Sequence, residues 1–241
     1  MLEIQNRMGI PESKDSGIDT LEECCDKDHY LSYTKDVSYR YNSKGFRDHE
    51  WPEDLSDVVW CVGDSFTVGI GQPFEETWPQ VLENKLGKRC INIGEDRCAN
   101  DRIQSRVNEI IRKYKPRLMV VMWSYMHRRF VNGKNVPNNK NDFGADRDLK
   151  NFIKNYKLCA GEQTKIIHSI IPGSWDYSNP ITADNILSYE LQKNNIHDLI
   201  VFPQLDYARD HHHFDIKTSE LVTDLMIEKI NTIDNTSKYP I

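Results

Sequence analysis

The chain reads as an α/β protein: a three-layer α/β/α sandwich, with a mostly parallel sheet of five strands between two layers of helices. Two observations carry this reading. From Asp57 onward, short apolar runs alternate with stretches of helical period, and such alternation builds a parallel sheet through crossover helices. The first run, Val58–Val62, is apolar at every position rather than every second one, as in a strand covered on both faces.

The elements follow in order. Residues 1–56 are polar, with Gly9, Pro11, Gly17 and scattered acids and no strong periodicity. They are expected to form a mostly irregular extension packed on the domain, with a short strand at Val37–Tyr41. The domain proper spans 57–233. After its first strand comes a helix over Glu75–Leu86, with Trp78, Val81, Leu82 and Leu86 on one side and Gly87 as its stop. Arg89–Gly94 is the second strand. Asn100 or Asp101 is placed to cap the next helix, whose Ile103, Val107, Ile110, Ile111 and Tyr114 keep the helical period until Pro116. Leu118–Trp123 is the third strand. Residues 131–144 are rich in Asn and Gly and read as a loop. A helix from Asp146 to about Ala160 buries Leu149, Phe152, Ile153 and Tyr156. Lys165–Ile171 is the fourth strand, stopped by Pro172-Gly173, then a weaker helix covers Thr182–Asn194. His197–Phe202 is the short fifth strand. Ile216–Ile233 closes the fold through Leu221, Val222, Leu225, Met226 and Ile230, and 234–241 is a loose tail.

Composition bounds the function. The 241 residues are 38% hydrophobic and 28% charged, which supplies one core and argues against a disordered chain. A net charge of −6 argues against a general nucleic-acid binder. No apolar stretch approaches the ~20 residues of a membrane span, and the N-terminus lacks the apolar region of a signal peptide. Cys24, Cys25, Cys61, Cys90, Cys98 and Cys159 form no CxxC pair and are read as reduced thiols. The expected setting is therefore cytoplasmic or otherwise intracellular, with no nucleic-acid and no membrane partner.

Two segments carry chemistry. Ser65 falls just past the first strand, in Gly63-Asp64-Ser65-Phe66-Thr67, where loops at strand ends line the ligand crevice. Near the far end, Asp210 precedes His213 by three residues, so their side chains can face each other on one turn of chain. A serine hydroxyl becomes a nucleophile when an imidazole accepts its proton, and that imidazole needs a carboxylate to fix its tautomer. Ser65, Asp210 and His213 supply those three parts. His211 and His212 have poorer spacing from Asp210 and are read as cleft-wall or surface residues. The His211–His213 run also fits adventitious zinc or nickel, but no matching ligand group stands elsewhere, so neither metal nor cofactor is expected.

These two segments together resemble the SGNH (GDSL-type) hydrolase family, over roughly residues 37–233. Tyr41-Asn42-Ser43-Lys44-Gly45-Phe46-Arg47-Asp48 resembles a segment preceding the first strand in members linked to polysaccharide acylation, and is expected to form a turn near the cleft rim. The resemblance implies a flavodoxin-like sheet and a serine-dependent carboxylic ester hydrolase acting through an acyl-enzyme. It implies short acyl or acetyl groups, on a small-molecule or carbohydrate ester. An O-acyltransferase with the same triad and a non-catalytic glycan-binding module on the same fold are the alternatives. The family's oxyanion donors are the serine amide, a glycine amide after the second strand and an asparagine after the third. Here the donor set becomes Ser65, Arg97 at the glycine position, and Ser124, with Tyr125 and His127 as substitutes for the missing asparagine. The Arg97 cation is expected to favour anionic substrates. Asp64, Asn100, Trp123 and Arg128 are the candidate substrate-binding residues. The bland readings are core packing for Trp123 and a solvated surface pair for Arg128-Arg129. Gly69-Ile70-Gly71 reads as a flexible turn rather than a dinucleotide loop.

Overall fold

A computed structural model describes residues 12–13, 17–136, 145–159, 163–173 and 189–236. Five parallel strands form the central sheet: β3 (Val59–Val62), β4 (Cys90–Asn92), β5 (Leu118–Trp123), β8 (Lys165–Ile170) and β9 (Leu199–Ile200). Their spatial order is β4-β3-β5-β8-β9, the flavodoxin-like order in which the chain reverses direction across the sheet between β3 and β5.

The alternation along β3 and β5 explains the layers. Trp60, Val62, Met119, Val121 and Trp123 point to one core, shared with Ile103, Val107 and Ile110 of α4 (Asn100–Tyr114) and Phe152 of α5 (Ala145–Leu158). Val59, Cys61, Leu118, Val120 and Met122 point to the other, shared with Trp78 and Leu82 of α3 (Trp78–Leu86) and Val222, Met226 and Ile230 of α6 (Ile216–Thr236). A strand buried on both faces has no polar position, which is why these runs read as continuous rather than alternating. Each fully buried aliphatic or aromatic side chain contributes about 1.5–3 kcal/mol. Among the described residues, no helix is long and apolar enough to cross a membrane.

Several expectations need correction. The N-terminal segment contains α1 (Lys27–Ser32) and β1 (Glu12–Ser13), which the polar sequence did not signal, while the strand expected at Val37–Tyr41 is β2 (Tyr39–Arg40), paired antiparallel with β1. The first long helix begins at Trp78, after a separate 3₁₀ turn at Phe74–Glu76, because Pro79 suits the first turn of a helix. The cap of α4 is Ala99, not Asn100 or Asp101, because the Asn100 side chain is spent on the end of β5. Part of the Asn- and Gly-rich loop is a hairpin, β6 (Arg129–Val131) and β7 (Lys134–Val136), turned by Asn132 and Gly133 at positive φ. Helix α6 runs on to Thr236, beyond the expected boundary at 233. Of the weaker helix, only residues 189–194 lie within the described part, and 189–193 of these are helical; the tail from 237 lies outside it.

Candidate active site

Ser65 opens α2 (Ser65–Val68), a single helical turn directly after β3. Asp64 is its N-cap and accepts from the Phe66 amide at 3.1 Å. Gly63 is required by close approach: a Cβ there would stand 2.0 Å from Thr67 Oγ1 and 2.8 Å from the Met122 carbonyl. The backbone therefore presents the serine at the carboxyl end of the sheet, beside the point where the chain reverses across it.

The loop 209–213 meets it there. His213 Nε2 lies 2.8 Å from Ser65 Oγ, and His213 Nδ1 lies 2.5 Å from Asp210 Oδ2. Asp210 Oδ1 also accepts the backbone amides of His212 and His213, each at 3.0 Å. A carboxylate on Nδ1 makes that nitrogen the donor, so Nε2 is left to accept the serine proton. All three side chains are buried. Burial pushes the Asp210 carboxyl up, but the His213 charge and hydrogen bond and the two amides outweigh it and hold the group below its ordinary value. Burial pushes the His213 imidazole down, yet the charge and hydrogen bond of Asp210, helped by Asp64 and Asp96, raise it above 6.5.

The three consecutive histidines face three ways. His211 takes a left-handed backbone, stacks on His29 at 4.5 Å and faces Tyr207. His212 lies against Phe66 and has its Nε2 3.2 Å from Tyr125 Oη; burial, His213 and Arg128 lower its pKa to about 4, so it stays neutral near pH 7. Only His213 reaches Ser65. Among the described residues, no group of three or more His, Cys, Asp or Glu side chains is arranged to hold a metal ion.

The remaining candidates separate. Arg128 Nη1 donates to Asp64 Oδ2 at 2.8 Å and to Ser124 Oγ at 3.0 Å, and its guanidinium covers the Tyr125 ring at 4.8 Å. It is thus tied beside the turn that carries Ser65 rather than solvated. Arg129 instead pairs with Asp148. Ser124 is not a free oxyanion donor: its hydroxyl goes to Asp64 at 2.5 Å and its amide to Asn100 Oδ1 at 2.9 Å. Asn100, fully buried, donates to the carbonyls of Ser124 and Tyr125 and so secures the end of β5 rather than lining a cleft. Trp123 is likewise core: it is fully buried, stacks on His168 and donates to His168 Nδ1 at 3.2 Å. The segment Asn42–Arg47 forms a turn, with Asn42 Oδ1 accepting the amides of Lys44 and Phe46. Arg47 is buried and donates to the carbonyls of Val68, Gly69 and Gln72, just behind the turn that carries Ser65.

Arg97 sits at the third position of a turn closed by the Cys98 amide on the Glu95 carbonyl at 3.1 Å, with φ 58° and an exposed side chain. Turns with positive φ at that position favour glycine, so Arg97 holds a backbone conformation that its side chain makes costly. Arg97→Gly relieves about 1–2 kcal/mol of left-handed strain and restores about 0.4–1 kcal/mol of unfolded-chain entropy. The net expectation is a melting temperature raised by a degree or two, measured by calorimetry.

No family model matches the sequence, and no curated protein does. Solved structures do match the fold. A chain described as a lipolytic protein of the G-D-S-L family, from Desulfitobacterium hafniense DCB-2, is 16% identical with a TM-score of 0.50, covering 72% of this chain and 99% of its own. A family two carbohydrate esterase from Clostridium thermocellum, solved in complex with cellohexaose, is 13% identical with a TM-score of 0.52, covering 76% of this chain and 66% of its own. The fold is that of the SGNH (GDSL-type) hydrolases.

Proposed function

We propose that this chain is a carboxylic ester hydrolase in which Ser65 forms an acyl-enzyme, His213 acts as base and then acid, and Asp210 orients the imidazole. The observation that carries the reading is the unbroken hydrogen-bonded line from Ser65 Oγ through His213 to Asp210. In the first step the Ser65 oxygen adds to the ester carbonyl while its proton passes to His213 Nε2. Collapse expels the alcohol, which takes that proton. Water then repeats the sequence and releases the acid. The developing oxyanion is met by backbone amides, those of Ser65 at the start of α2 and of Arg97 in the 95–98 turn. Tyr125, part-buried and packed on the buried Phe66, supplies an aromatic face suited to a short acyl group or a sugar. A carbohydrate acyl ester fits with the fold's occurrence in the Clostridium thermocellum esterase.

The test is labelling with a fluorophosphonate probe, with the adduct mapped by mass spectrometry. Covalent modification of Ser65 is expected; no adduct under conditions that label a control esterase would remove the reading.

The pH dependence follows in sign. His213 must be neutral to accept the serine proton, and its pKa lies above 6.5. As pH falls through that raised pKa the base is lost, so kcat/KM for p-nitrophenyl acetate should fall on the acid side with a midpoint above 6.5. His212, at about 4, adds no limb in this range. A pH–rate profile from 5 to 9 checks it; a midpoint below the ordinary histidine value would show that burial outweighs the Asp210 carboxylate at this imidazole.

A further inference from the structure

The triad is assembled from two loops far apart in the chain, and a third segment lies against both. Asp19, fully buried, accepts from Arg209 Nε at 2.9 Å and Nη2 at 2.8 Å. It also accepts from the Tyr39 hydroxyl. That hydroxyl in turn accepts the Gly71 amide at 2.8 Å, and the Gly71 carbonyl accepts the Arg209 amide at 3.0 Å. The four groups close a ring. Gly71 follows the nucleophile turn α2, and Arg209 immediately precedes Asp210. The two loops touch at this point: a Cβ on Gly71 would stand 2.8 Å from Ala208 Cβ and 3.2 Å from Asp210 Oδ1. Further bonds run from the same N-terminal segment to the same loop, His29 Nε2 to the Ala208 carbonyl at 2.9 Å and the Cys25 amide to the Asp210 carbonyl at 3.2 Å.

We infer that Asp19 is a positioning residue, which through Arg209 and Tyr39 holds the Asp210–His213 loop in register with Ser65. This rests on the ester-hydrolase reading above. A carboxylate is suited to the role because it accepts both guanidinium bonds and the phenol at once, and because the paired charges in a buried site resist separation. The consequence is that the N-terminal segment is part of the catalytic apparatus although it supplies no reacting atom. A hydrogen bond at 2.8 Å between nucleophile and base tolerates little displacement; a shift of about 1 Å costs on the order of 10²-fold.

The experiment compares fluorophosphonate labelling of the wild-type chain, Asp19→Ala and Tyr39→Phe, recording the rate constant and the final fraction labelled separately, with far-UV circular dichroism on each. A wild type that does not label overturns the ester-hydrolase reading and this inference with it. Where the wild type labels, Asp19→Ala is expected to label on the order of 10²-fold more slowly and to reach full labelling, with kcat for p-nitrophenyl acetate falling and KM within about twofold. Tyr39→Phe, which keeps the Asp19–Arg209 pair and loses one hydroxyl, is expected to slow labelling by about tenfold. An unchanged rate constant with a reduced labelled fraction would show that Asp19 only stabilises the fold, and would overturn the inference while leaving the hydrolase reading standing. Should Asp19→Ala fail to fold, the Tyr39→Phe rate constant decides alone: within twofold of wild type, it rejects the positioning role.

Discussion

Ser65→Ala is expected to abolish ester hydrolysis while leaving the fold in place. The hydroxyl is the only group in the cleft that stands 2.8 Å from His213 Nε2 among the described residues, so no second nucleophile can take its proton route. Loss of a triad nucleophile typically costs about 10⁴–10⁶ in kcat, the residual rate coming from binding and oxyanion polarisation. The structural cost is small by comparison. One buried hydrogen bond of about 1 kcal/mol is lost, which corresponds to about 2–4 °C in a chain of this size. The Asp64 cap, the Gly63 approach and the Asp210–His213 pair do not involve the Ser65 side chain and survive. Turnover of p-nitrophenyl acetate, with esterase contamination excluded by a mock purification, measures the effect. Turnover unchanged from wild type would remove Ser65 from the chemistry.

Much of this arrangement is legible in the residues alone, for physical reasons that differ by element. The strands β3 and β5 are buried on both faces, and such burial leaves continuous apolar runs that no surface loop could carry. The helices α4 and α5 bury one face each and so keep the helical period. The positions of Ser65 at a strand end and of Asp210 facing His213 can be anticipated because strand ends and i, i+3 spacing are local properties. What fails is whatever depends on contacts between distant segments. Asn100 and Trp123 carry polar and aromatic groups suited to a ligand, but their partners, Ser124 and His168, can be seen only once β5 lies beside its neighbours. Asp19 and Arg209 are separated by most of the chain, and no pattern in a polar extension marks one acid among many. A local signal marks the hairpin as well: Asn132-Gly133, the dipeptide that favours a two-residue hairpin turn, lies between the paired strands β6 and β7.

The histidine run gives the sharpest separation of roles. His213→Ala should lower kcat/KM by about 10⁴–10⁶, because it removes the group proposed to take and return the proton. It also strips Asp210 of its partner, and a buried carboxylate without its counter-group costs about 3–5 kcal/mol. His213→Gln therefore serves as the companion variant: it keeps an amide donor near Asp210 and most of the volume but accepts no proton at pH 7, so equal loss of activity with a smaller loss of stability isolates the chemical role. His211→Ala removes a ring that packs on His29 and Tyr207, and His212→Ala removes one that packs on Phe66 and meets Tyr125. Neither ring is hydrogen-bonded to Ser65; the His212 ring meets the His213 ring edge-on at 4.9 Å, and the His212 amide that supports Asp210 belongs to the backbone and persists in the alanine variant. Each should cost about tenfold or less, without moving the acid-side midpoint above 6.5 by more than a few tenths. Measured side by side on one ester, the four variants give a large step at position 213 and small ones at 211 and 212. A large loss at 211 matched by a small one at 213 would contradict the geometry, since the His211 ring faces the N-terminal segment and only the His213 ring bridges nucleophile and carboxylate.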